Sequence, residues 1–319
     1  MNADRSRVHD GTQLLAHVPT PWPPLNRSGL MPTMQVAVVV SVVFVGCGVF
    51  LTAFGGNQAP MFSEAEAYER FMGRWSRELA PLLVRFAAVR DGEALLDVGC
   101  GTGALTAALA SAAPTSRIVG IDPSPRYVAF AQARHGNSLI RFEVGDAQQM
   151  RFDDGAFDRA VSLLVLNFVP DAAKAVDEMK RVTRRGGIVV AAVWDYAEGM
   201  EMLRAFWDEA IALKPTSDAR DERHMPFCRR DQLASLWRGR GLHAVVEEGL
   251  TIQTRFTSFD DYWRPFLEGQ GPAGAYVAAL SEQEREELKR RLERRLLSGH
   301  TDGSFVLNAR AWAVRGVVP

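Results

Sequence analysis

Residues 94–104 read ALLDVGCGTGA, and the rest of the chain is read outward from them. Leu95 and Leu96 lie in an apolar run, Asp97 and Val98 follow, and Gly99, Gly101 and Gly103 then alternate. An alanine-rich segment, TAALASAAP, begins at Thr106 and stops at Pro114. The order is strand, tight glycine turn, helix. Glycines suit a turn whose φ angles a Cβ forbids and a backbone that a ligand approaches closely. The helix that follows offers unpaired N–H groups and the positive end of its dipole to whatever lies in the turn.

The spacing also fits G-x-G-x-x-A, through Gly99, Gly101 and Ala104, so a dinucleotide site is one reading. Three neighbours narrow it. A second apolar strand, Arg117 to Ile121, ends in Asp122-Pro123-Ser124, where a carboxylate can accept both hydroxyls of a ribose. A third run, Ile140 to Val144, ends in Gly145-Asp146-Ala147, whose carboxylate can accept from an adenine amino group. Asp97 stands before the first glycine, where it would repel a pyrophosphate and welcome a cationic amine.

These residues resemble the class I S-adenosylmethionine-dependent methyltransferases, most of all their small-molecule branch of the ubiquinone and menaquinone type. LLDVGCGTG resembles the first motif of that family, VGIDPS its ribose-binding acidic loop and VGDAQQM its adenine loop. FDDGAFDRAVSLLVLNFVPD, from Phe152, resembles the fourth-strand motif, and DEMKRVTRRGG, from Asp177, the helix and turn before the fifth strand. The resemblance runs from about Phe62 to the C-terminus. It implies an α/β fold: a Rossmann-like seven-stranded sheet with helices on both faces, the last strand antiparallel between its predecessors. It also implies S-adenosyl-L-methionine as cofactor. Gly99, Cys100, Gly101 and Gly103 would then receive the methionine end, with Asp97 near its amine. Asp122 and Pro123 would take the ribose, Asp146, Ala147 and Gln148 the adenine, and Leu163 would border the sulfur. The N-terminal region covers the cofactor in the family, which makes Tyr68 and Arg74 candidates to touch it. Many relatives carry His where this chain has Asn167, so a general base at that place is not assigned.

With 319 residues and 47% of them apolar, the chain has ample length for a buried core. A net charge of −1 with mixed signs carries no basic footprint of a nucleic-acid binder. Cys47, Cys100 and Cys228 are scattered without metal or disulfide spacing and suit a reducing cytoplasm. Residues 1–60 stand apart as an extension, polar and proline-rich at first, then apolar and uncharged over 34–54. That stretch reads first as an open reading frame begun too early, with the true start at Met34 or Met61. It reads second as an anchor holding a cytoplasmic domain on a membrane, and third as an export signal. Residues 61–319 form the expected domain.

Within it, Ser63 and Glu66 form a capping box for a first helix, and Leu79, Leu82, Leu83 and Phe86 give the second an apolar face. A helix is expected from Pro125 to His135, a fourth strand from Ala156 to Leu166, an amphipathic helix over 172–182 and a fifth strand from Ile188 to Trp194. Arg181, Arg184 and Arg185 read as a solvated helix end, with a phosphate patch as the alternative. Two insertions, about 196–230 and 258–299, are expected to form a helical lid over the acceptor. Ser281 with Glu284 caps the helix of the second insertion. Residues 304–318 alternate like a long edge strand.

Methyl transfer needs alignment and the exclusion of water more than it needs an acid or a metal. Trp194, Tyr196, Phe227 and Trp263, with Tyr262 and Phe266, suit a flat apolar acceptor, and Asn167 and His224 are candidate catalytic groups. The expected function is methyl transfer from S-adenosylmethionine to a small molecule. A dinucleotide-dependent oxidoreductase and a non-catalytic S-adenosylmethionine-binding protein are the alternatives.

Overall fold

The computed structural model describes residues 72–216, 221–269, 271–298 and 303–319. The segment 34–54, the Ser63 cap and Tyr68 lie outside these residues. Strand β1 (Ala94–Val98) is buried along its whole length because it packs on both faces. Leu95 enters one core, and Leu96 and Val98 enter the other. β1 pairs in parallel with β2 (Arg117–Asp122) on one side and with β4 (Phe157–Leu163) on the other. β3 (Ile140–Val144) flanks β2, and β5 (Thr183–Trp194) flanks β4. β7 (Phe305–Val317) runs antiparallel between β5 and β6 (His243–Phe256). The order is β3-β2-β1-β4-β5-β7-β6. The chain moves outward in opposite directions from β1 and β4, which opens a crevice at their carboxyl ends.

Around the sheet lie helices α1 (Arg74–Phe86), α2 (Ala104–Ala112), α3 (Pro125–His135) and α4 (Ala172–Val182). They are followed by α5 (Glu201–Leu213), α6 (Gln232–Gly239), α7 (Phe259–Leu267), α8 (Gly271–Ala278) and α9 (Glu282–Leu296). α1, α2 and α3 share a core with Leu95, Ile118 and Val190, whereas α4 and α6 share the other with Leu96, Val119 and Val189. α5, α7 and α8 meet through aromatic side chains, with Phe206 stacked on Phe266 at 4.7 Å and edge-on to Tyr276. Ser281 and Glu284 form the expected capping box of α9, whose Leu288, Leu292 and Leu296 are buried.

Several expectations change. β4 stops at Leu163, because Leu164 adopts φ +63° and residues 166–168 turn as a short 3-10 helix. β5 begins at Thr183, so the Arg184-Arg185-Gly186-Gly187 segment belongs to the strand. Arg181 is bound by Glu178 and Asp154 and Arg184 by Asp158, which favours the solvated, paired reading over a phosphate patch. The C-terminal strand alternates like an edge strand but is interior, as the resemblance implies, and β6 is the edge.

Candidate functional site

A cavity of about 890 Å³ opens where β1 to β5 end. The glycine turn forms its floor. The N–H groups of Gly99 and Cys100 both donate to the Ile121 carbonyl, at 2.8 and 2.9 Å, which ties the turn to the tip of β2. Gly101 adopts φ +51° and has open space where a Cβ would stand, so bare backbone faces the cavity. Gly103 serves a different purpose. At φ +93° it starts α2 so close to α3 that a Cβ would come 2.6 Å from His135, and it does not line the cavity.

Asp97 is fully buried at the end of β1. Its Oδ2 accepts a 2.6 Å hydrogen bond from Thr106 Oγ1, and its Oδ1 has no partner among the described residues. Burial pushes this carboxyl up to about 7, the Thr106 hydroxyl works against that, and the nearby Asp122 charge adds to it. A buried carboxylate with a free oxygen is poised for a cationic donor. Asp122 accepts from the N–H of Ser124 at 2.9 Å and of Gly101 at 3.1 Å. Burial raises its pKa and those two bonds pull it back. Each of its oxygens keeps lone-pair capacity for a ligand hydroxyl. Asp146, at the tip of β3, accepts from the Gln148 N–H at 2.8 Å, so its loop is shaped by its own side chain. Pro123, Ala147 and Gln148 also line this side. Burial raises the Cys100 thiol well above its usual range, reinforced by Asp97 and Asp122, so it sits in the turn as a neutral thiol.

Across the crevice, Leu163 ends β4 and Trp194 ends β5, and both line the wall with Tyr196. The other sequence candidates fall elsewhere. Arg74 binds Asp261 at 2.7 Å and lies over the rings of Trp75 and Phe256, tying α1 to α7. Trp263 is core between Phe259 and Phe266, and Tyr262 donates to the Met202 carbonyl. Phe227 lines a separate hollow of about 440 Å³ with Pro226 and Arg230. Asn167 is buried with its amide 3.9 Å from Met225 Sδ, because the early end of β4 turns it inward. His224 lies in a short turn at 222–224. Neither Asn167 nor His224 lines the cavity. No described residue beyond Tyr196 lines it either, so the helices of the insertions do not form its wall.

Sequence reasoning missed Met72 and Ser76, which line the cavity from the start of α1. The signal was available: they are four residues apart, and Ser76 shares a buried helix face with Leu79 and Leu83. It also missed Leu164 and Val165, hidden by reading β4 three residues too long.

The methyltransferase domain family matches residues 96–191, the stretch from β1 into β5. A Streptomyces fradiae 37.1 kDa transposon protein is 41% identical over 103 residues, covering 32% of this chain and 30% of that protein. Demethylmenaquinone methyltransferase of Staphylococcus aureus is 38% identical over 104 residues, covering 32% of this chain and 43% of the enzyme. The chain thus matches less than half the length of either relative. Among solved structures, Haemonchus contortus phosphoethanolamine N-methyltransferase 2, in complex with phosphomonomethylethanolamine and S-adenosylhomocysteine, superposes with TM-score 0.50 at 20% identity. That superposition covers 80% of this chain and 57% of the other, and it speaks for the fold. The strand order and the antiparallel β7 agree with that superposition on a methyltransferase fold, and residues 96–191 match the methyltransferase domain family.

Proposed function

We propose that the chain transfers a methyl group from S-adenosylmethionine to an apolar small-molecule acceptor, with residues 61–319 acting as one domain in the cytoplasm. The unpaired Oδ1 of Asp97 at the floor of the cavity carries this reading. A buried carboxylate with a free oxygen fits the ammonium of a methionine moiety and opposes the phosphates of a dinucleotide. Gly101 leaves its backbone bare beside it, Asp122 holds the ribose, and Asp146 with Ala147 and Gln148 receives the adenine. When bound, S-adenosylmethionine supplies an electrophilic methyl: the acceptor's electron pair forms the new bond, and the carbon–sulfur pair returns to sulfur. The chain aligns the two partners between the tips of β1 and β4 and keeps water out with Leu163, Leu164 and Val165. No titratable group is assigned as a base, so an acidic acceptor would give up its proton to solvent before it enters the cavity.

Isothermal titration tests the cofactor. The full chain is expected to bind S-adenosylhomocysteine and to ignore NADH. Binding of NADH in its place would return the dinucleotide reading.

A further inference from the structure

An open sheet edge presents unpaired backbone groups to any passing strand, and folded proteins guard such edges with short length, charge or proline. The two edges of this sheet are guarded unequally. β3 has only 5 residues and carries the Arg141–Glu143 ion pair. β6 has 14 residues, and within it the run Gly249-Leu250-Thr251-Ile252-Gln253-Thr254 holds neither charge nor proline. Leu250, Ile252, Thr254 and Phe256 are buried, whereas Gly249, Thr251, Gln253 and Arg255 are exposed. No described strand pairs with the outer side of β6.

The charges lie at the ends of the run and are opposite in sign: Glu247 and Glu248 precede it, and Arg255 follows. The ladder to β7 is broken between His243 and Val246 and is regular from Val246 to Phe256. That regular stretch is centred on Thr251, and Glu247 and Arg255 are equally distant from the same residue. Two copies paired antiparallel about a two-fold axis at Thr251 therefore set Glu247 of each opposite Arg255 of the other, on one face of the sheet. Val246, 42% exposed, then meets Phe256, and Leu250 meets Ile252. Moving the register by two residues sets Arg255 opposite Val245 or Gly249 and loses the charge pair. Moving it by one turns the faces against each other. The Glu247 carboxylate accepts from the N–H groups of Asp231 at 2.7 Å and Ala234 at 3.3 Å, which holds it at the start of α6 and leaves lone pairs for a guanidinium.

We propose that β6 is a self-association surface: it pairs edge to edge with β6 of a second copy, antiparallel and centred on Thr251, joining two sheets into one. Glu247, Thr251 and Arg255 do not line the cavity, so this inference stands apart from the methyl-transfer reading.

The full chain carries the test. Thr251→Cys brings the two new thiols together on the axis, whereas Gln253→Cys sets each opposite Gly249. Under mild oxidation Thr251→Cys is expected to give a covalent dimer on a non-reducing gel and Gln253→Cys to remain monomeric. The unaltered chain, with Cys47, Cys100 and Cys228, is the blank. Sedimentation then reads the charges. Arg255→Glu faces two carboxylates at both ends of the junction and should weaken self-association at least about 10-fold, with an unchanged circular dichroism spectrum. Glu247→Arg should do the same, and an equal mixture of the two variants, which restores both charge pairs, should form a heterodimer. Should Glu247→Arg not fold without its bonds to α6, the cysteine variants and Arg255→Glu decide. Equal cross-linking of both cysteine variants, cross-linking of neither, or association that Arg255→Glu leaves unweakened overturns the proposal. A chain that stays monomeric at every concentration overturns it as well and gives the edge to another partner.

Discussion

Asp97 shows at the residue scale how a buried carboxyl facing a cavity is held at the expense of stability. Its folded pKa of about 7 lies above the ordinary value of 3.8, chiefly through burial. Between those two values the folded state holds more protons than the unfolded state, so stability falls as pH rises through about 7. Glu222, buried against Trp207 and raised by burial to about 7, acts in the same direction. The ligand-free chain should therefore melt at a lower temperature at pH 8 than at pH 5, and Asp97→Asn should flatten part of that slope. At pH 8 the variant should be more stable by at least ~1 kcal/mol, since one pKa unit corresponds to about 1.4 kcal/mol. Thermal melts across pH check both statements. The same variant should lose S-adenosylhomocysteine binding. In the unaltered chain an ammonium beside Asp97 draws off its proton, so affinity should rise from pH 6 to pH 8 with proton release to buffer. Titration in buffers of different ionisation enthalpy measures that release, and proton uptake would contradict the assignment. Asp122→Ala should weaken the same ligand by about 1–3 kcal/mol, as for a charge-assisted hydrogen bond; unchanged affinity would remove Asp122 from the ribose site.

At the scale of elements, the turn between β1 and α2 needs its glycines for two separate reasons. Gly101 leaves the backbone open to a ligand, while Gly103 lets α2 start against His135 of α3. Gly103→Ala combines a left-handed φ with a contact of 2.6 Å, so it should destabilise the chain by about 1–3 kcal/mol while leaving the cavity wall intact. Denaturant unfolding reads that loss, and a stability equal to that of the unaltered chain would show that the turn relaxes freely. α9 is a simpler case. Its capping box pairs Ser281 with Glu284 in both directions, and Ser281→Ala should cost about 1 kcal/mol without altering ligand affinity. The local pattern S-x-x-E announces this cap because its partners are three residues apart. The end of β4 was not legible in the same way. An apolar run continues through Leu166, and only the left-handed φ of Leu164 breaks the strand.

For the whole molecule, β7 is the strand that closes the sheet. It separates β5 from β6 and is the only strand that β6 pairs with among the described residues. Removing residues 305–319 should therefore abolish cooperative unfolding, whereas loss of a true edge strand would leave a folded sheet. Circular dichroism with thermal melting separates the two. The helices of the insertions extend, with aromatic side chains, the core that α1, α2 and α3 form on one face of the sheet. Arg74 ties α1 to α7 within it through Asp261, a structural use of a residue whose sequence position suggested a ligand.

Apolar segments, the glycine turn and three aspartates at successive strand ends determined the parallel sheet and the carboxylate-bearing side of the cavity. Each of those signals lies within a few residues of chain, where backbone geometry and strand periodicity act directly. The apolar side depended on tertiary packing. Whether an aromatic residue lines a cavity or fills a core is decided by neighbours distant in the chain. Trp194 and Tyr196 therefore reached the wall, while Trp263 and Phe266 went to a core with Phe206 and Tyr276. The same holds for Asn167 and His224: their chemistry was visible in the chain, and only the fold could turn them away from the cavity.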